Sequence, residues 1–221
     1  GIPLAIEMAA ARVATLGLDT LGQLLDERFR VLTGGRRSAI PRQRTLQATL
    51  DWSYGLLAAR ERIVFRRLAG FIGGFSLGAA IGVAADSELD QFEVIDSITI
   101  LMEKSLLAID AGDGHARYRL LETTRAYALE KLAEAQETAL VARLSAQHYQ
   151  LVFKSCFDDW TRLSDSAFDA RYAPELDNLR LALDWSFGPD GDPQIGLSLT
   201  GLSGQLWVGR LMLAEQQQRL D

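Results

Sequence analysis

One short stretch of this chain is composed for a β-hairpin, and the residues around it are composed for helices. Residues 106–109 and 117–120 flank Asp110-Ala111-Gly112-Asp113-Gly114. Asp and Gly between two short strand-like runs predict a hairpin turn. Before it, Leu46, Leu50, Ser53 and Leu57 recur at helical spacing, with Trp52 and Tyr54 beside them. A second helix is predicted over 58–69, with Ile63, Val64, Phe65 and Leu68 inward. Residues 70–75 carry Gly70, Gly73 and Gly74 and read as a turn or short strand. A small Ala/Gly-rich helix is predicted over 77–84. Asp90 is a good N-cap for a further helix to about Lys104. After the hairpin, Thr124, Ala128 and Leu132 align on a helix over 122–135. Three or four helices closing on one hairpin predict a winged-helix domain over residues 44–136.

The flanks are helical too. At the start, Pro3 suits a first helical turn and Gly17 a helix end. Asp19 caps a second helix, with Leu21, Leu24, Leu25 and Phe29 on one face. Residues 1–36 are therefore predicted as a helical subdomain. The polar, basic run 33–38 is its linker, with Pro41 at the far end. Beyond residue 137, helices are predicted over 138–159, 172–187, 193–208 and from 210 onward, with a loop over 188–192. Successive antiparallel helices suggest a TPR-like array over 138–221. The expected fold class is mainly α: a helical subdomain, a winged helix with one β-hairpin, and an α-helical TPR-like array.

Composition excludes several function classes. Of 221 residues, 48% are hydrophobic and 24% charged, as in ordinary globular proteins. The apolar runs are too short to span a bilayer, so no membrane partner is expected. Cys156 is the single cysteine, which precludes an intrachain disulfide and fits a reducing, cytoplasmic setting. The net charge of −6 argues against a general nucleic-acid binder. The charge is uneven, since residues 1–50 carry a net +3 and the remainder −9. The basic part is Arg28, Arg30, Arg36, Arg37, Arg42 and Arg44, a pattern that a solvated linker also explains.

No complete active site can be assembled from these residues. Gly70, Gly73 and Gly74 lack the Lys-Ser/Thr of a phosphate-binding loop. His115 and His148 have no metal-ligand spacing, and Cys156 has no evident base. Ser53 and Ser105 lie in no nucleophile elbow. Glu122, near Arg117 and Arg119, reads as a surface ion-pair partner. The predicted helix 90–104 carries Asp90, Glu93, Asp96 and Glu103 against one lysine. An acidic recognition helix repels phosphates, so direct nucleic-acid binding is not expected.

Several runs, taken in order, resemble bacterial STAND/NB-ARC-type ATPases and transcriptional regulators. They are Gly1-Ile2-Pro3-Leu4-Ala5-Ile6-Glu7, the run 25–35, and the run 44–54 around Asp51-Trp52-Ser53. Phe65-Arg66-Arg67-Leu68, the run 73–77, Lys104-Ser105-Leu106-Leu107, the run 118–123 and the run 175–180 also match. The resemblance implies that Gly1 and Pro3 belong to a Gly-x-Pro motif closing on a nucleotide, with Pro3 against the adenine. It implies an ATPase parent holding ADP or ATP with magnesium, its phosphate-binding loop and effector domain lying upstream. Nothing precedes Gly1 here, so the chain is expected to be a non-enzymatic piece of such a switch, with no tightly bound cofactor of its own. Eukaryotic relatives place a phosphate-touching His at the end of the winged helix. The matching run here is Arg117-Tyr118-Arg119, with Tyr118 in place of the His and Arg117 or Arg119 as the candidate phosphate contacts. Self-association and a protein partner on residues 138–221 are also implied.

Overall fold

The computed structural model describes residues 41–111 and 116–209. The expected subdomain 1–36, Gly1, Pro3, the arginines from Arg28 to Arg37, the hairpin tip and the last predicted helix lie outside the described residues.

The first helix, α1, spans Pro41–Gly55, so Pro41 opens a helix rather than ending a linker. A proline has no N–H to lose in a first turn. Leu50, Trp52 and the following Leu57 are buried. Next comes α2, Ala59–Leu68, where Glu61 accepts from the Ala58 N–H at 2.9 Å. Its Val64, Phe65 and Leu68 are fully buried. Strand β1 is only Gly74–Phe75. Ser76 then caps α3, Leu77–Ala84, by accepting from the Ala79 N–H at 3.1 Å. Asp90 caps α4, Gln91–Glu103, accepting from the N–H groups of Phe92 and Glu93, while Glu93 accepts from the Asp90 N–H. This reciprocal capping box satisfies otherwise orphaned donors.

The hairpin is present, as strands β2 (Ala108–Ala111) and β3 (Ala116–Arg119). Its strands lie nearer the turn than the sequence suggests. Leu106 and Leu107 are instead used to end α4: both N–H groups donate to the Leu101 carbonyl, and Ser105 adopts a left-handed φ of 56°. That geometry closes helices, usually with glycine. The sheet has a third strand, because β1 pairs antiparallel with β3, giving the order β1-β3-β2. Register places Phe75 opposite Tyr118 and Ile109 opposite Tyr118 on the other side. Helix α5, Glu122–Glu134, returns across α2 and α1.

After a left-handed turn at Gln136 (φ 59°), the chain continues as a helical arm. Helix α6 spans Thr138–Phe153 and α7 spans Cys156–Arg162. A single helix over 138–159 was expected. The break falls at Lys154-Ser155, between the fully buried Phe153 and Cys156. Helix α8, Asp165–Tyr172, had no counterpart in the sequence reading. A 3-10 turn, Ala173–Glu175, precedes α9, Leu176–Ser186. Pro174, which has no N–H to donate, keeps α8 from running on into α9, so the helix expected from Tyr172 begins at Leu176 after the 3-10 turn. Helix α10 is Pro193–Leu202 and α11 is Gly204–Gly209. Between them Ser203 donates to the Leu199 carbonyl and accepts from the buried Trp207 indole at 2.9 Å.

One apolar core runs from Leu50 to Trp207. The junction between its two halves is α3 on α6. It is close at Gly82, where a Cβ would sit 2.5 Å from His148 Nδ1. Within the arm, α6 packs on α9 and α10.

Candidate functional site

Three features present functional chemistry. The first is the outer face of α4. Helices α3 and α4 pack on α2 as a helix-turn-helix, which turns one side of α4 outward. Phe92, Asp96, Thr99 and Glu103 all lie exposed on it. Their spacing puts them on one stripe. Phe92 is 67% exposed, high for a large apolar side chain. Glu93 is held off to the side by Arg60, at 2.6 Å. The stripe carries two carboxylates and no cation.

The second is the run 117–119 on β3. Arg117 donates from Nη1 to Glu175 and from Nη2 to the carbonyls of Gly74 (2.7 Å) and Pro174 (3.0 Å). Glu175 is buried and also accepts from the Tyr149 hydroxyl at 3.0 Å. Burial, with the Glu175 charge beside it, pushes the Tyr149 phenol well above its ordinary range. Tyr118 stacks on Phe75, ring centroids 6.2 Å apart. Arg119 pairs across the hairpin with Asp110 at 2.8 Å. The partner expected from sequence, Glu122, pairs with neither arginine among the described residues. As they stand, residues 117–119 do not offer a free cation to a phosphate. Arg117 would have to leave three partners and Arg119 its carboxylate.

The third is Arg67, which sequence reasoning did not single out as functional. It is 5% exposed. Nη1 donates to the Ala84 carbonyl (2.8 Å) and Asp86 (2.7 Å), and Nη2 to Glu137 (3.0 Å). Arg66 donates to the same Glu137 at 2.6 Å. Burial alone would lower the Arg67 pKa, but its hydrogen bonds to the Glu137 and Asp86 carboxylates raise it. The Arg67 hydrogen bond holds Asp86 below its ordinary value. Burial pushes Glu137 up, yet the two guanidiniums leave it lowered overall. Adjacent arginines in a helix gave the only signal in sequence, and their acids lie 19 and 70 residues away.

Other candidates carry less. Burial pushes the Cys156 thiol up to about 11, which keeps it protonated and unreactive. No cluster of three or more His, Cys, Asp or Glu among the described residues could hold a metal. No helix among them is long and apolar enough to cross a membrane.

The helix-turn-helix of α3 and α4, followed by a β2–β3 wing, matches the family model described as a winged helix-turn-helix domain over residues 57–133. These residues are a winged helix-turn-helix domain. The chain is also homologous to much longer proteins. It is 45% identical over 215 residues to a candidate HTH-type transcriptional regulator of Mycobacterium tuberculosis, Rv0890c, covering 97% of this chain. A Mycobacterium bovis protein of the same description matches equally. The chain spans about a quarter (24%) of the length of these curated relatives. An uncharacterised M. tuberculosis protein, Rv0894, is 41% identical over 145 residues, which is 65% of this chain and 37% of that protein. No solved structure matches the chain significantly. The helices that follow the matched residues continue the same core.

Proposed function

We propose that this chain is the relay portion of a larger, nucleotide-gated transcriptional regulator, and that its winged helix docks on protein rather than reading DNA. The observation that carries the second half is the outer stripe of α4. In a helix-turn-helix that grips DNA, the N-terminal part of the second helix enters the major groove. Affinity there comes largely from cations on phosphates. Here that part of α4 presents Phe92 and Asp96, with Asp90 as its cap. An exposed aromatic beside carboxylates suits a protein surface better than a polyanion. The first half is supported by the relatives named as transcriptional regulators and by the ordered STAND-like runs, with Gly1 and Pro3 closing on ADP or ATP in the parent.

Two measurements test these halves separately. The purified chain, titrated with labelled mixed-sequence duplex DNA at low salt, is expected to show no binding. Salt-sensitive binding would overturn the docking reading. Denaturing the intact parent should release ADP or ATP at about one per chain, the occupancy a closed nucleotide switch requires. A nucleotide-free parent that also ignores added ATP would replace the switch with a nucleotide-independent helical scaffold on residues 138–221.

A further inference from the structure

We propose that the helical arm sets the position of the wing through a releasable clasp, centred on Arg117 of β3 and Glu175 of the 3-10 turn. The arm bears on the short edge strand β1 and the segment before it in two ways, through Arg117 and through Asn178. Arg117, tied to Glu175 and the Pro174 carbonyl, also bonds the Gly74 carbonyl. Asn178 of α9, 1% exposed, donates to the same carbonyl at 3.0 Å and accepts from the Ile72 N–H at 2.8 Å. The Ile72 amide is therefore held by a side chain 106 residues further on. From the winged-helix side Arg125 also reaches this segment, donating to the Phe71 carbonyl.

The wing's own pairing is weak without these contacts. β1 contributes two residues, and a two-residue strand cannot fix a sheet by itself. The clasp supplies the missing constraint with charge-assisted bonds, which are stronger than neutral ones and are sensitive to the position of both partners. A displacement of residues 173–178 thus passes to β1 and β3, while the α2–α4 core, which the clasp does not touch, stays in place. While the clasp is closed, Arg117 is withheld from any other anion.

Hydrogen exchange on the full chain tests this. Glu175→Gln keeps the shape and the acceptor but removes the charge. Exchange at Ile72, at residues 74–75 and at 116–119 should speed up about tenfold or more, the factor expected for weakening a charged hydrogen bond. Exchange at 64–68 and 98–101 should be unchanged. Arg117→Lys should give the same pattern and serves if Glu175→Gln does not fold. Asp110→Asn, which breaks the exposed Arg119 pair in the same sheet, should leave Ile72 protected. Uniform acceleration through the α2–α4 core would reduce the clasp to ordinary stability and overturn the proposal. So would unchanged exchange at Ile72, or its equal acceleration in Asp110→Asn.

Discussion

Arg67→Ala is expected to destabilise the fold by about 3–5 kcal/mol, the usual cost of removing one member of a buried ion network. Arg67 is among the most buried charges described, and it joins three parts of the molecule. Its guanidinium closes the end of α3 through the Ala84 carbonyl, fixes the loop after it through Asp86, and anchors the start of α6 through Glu137. The substitution leaves Asp86 without its cation and Glu137 with only Arg66. The arginine stem also leaves a hole among packed helices. Urea unfolding monitored by circular dichroism measures the effect. A change below about 1 kcal/mol, the range of a surface ion pair, would place Arg67 outside the network.

The same network sets an acid limit. Asp86 and Glu137 both titrate below their ordinary values in the folded chain. Their stabilisation is therefore complete above the unfolded carboxylate range, and it is lost as pH falls through the lowered folded values. Loss begins below about pH 4, where free Asp and Glu take up protons. Arg67→Ala should flatten this part of the stability curve, because the carboxylates then titrate closer to normal.

Phe65→Ala is expected to cost about 3–5 kcal/mol, the range for truncating a buried aromatic. Phe65 is 0% exposed at the centre of α2. It packs 5.8 Å from the Tyr54 ring of α1 and 6.4 Å from the Tyr127 ring of α5, centroid to centroid. Tyr127 in turn donates to Asp51 at 2.8 Å, so the three helices share one aromatic joint. In a chain of this size the loss should lower Tm by roughly 6–20 °C. Phe65→Leu fills most of the volume and should cost about 1 kcal/mol. Equal losses for the two variants would show that ring geometry, rather than the cavity, dominates.

Local signals in the sequence carried the winged helix well. Asp90 marks the start of α4, because a side-chain cap is a contact within three residues. The spacing of Val64, Phe65 and Leu68 similarly marks the buried face of α2. Strand β1 was less legible, since two residues have no periodicity. The end of α4 fell near Lys104 as expected, but the start of β2 was obscured, because Ser105 takes a conformation that sequence logic assigns to glycine and draws Leu106 and Leu107 into the helix end. The arm's breaks at Ser155 and Ser203 depend on which neighbours bury Phe153 and Trp207. Least legible were the polar joints. Arg117 meets Glu175 across 58 residues, and Arg66 meets Glu137 across 71. No local pattern pairs them, so Arg117 read as a candidate phosphate contact before its partners were known.

The reach of Asn178 back to Ile72 also has a consequence for biogenesis. During synthesis the winged helix leaves the ribosome first, and its distant partner follows 106 residues later. At usual elongation rates that interval is about 5–20 s. For that time β1 is a nascent edge with no latch, open to chaperones or to another emerging chain. Translation speed across the arm therefore determines how long the unfinished wing stays exposed.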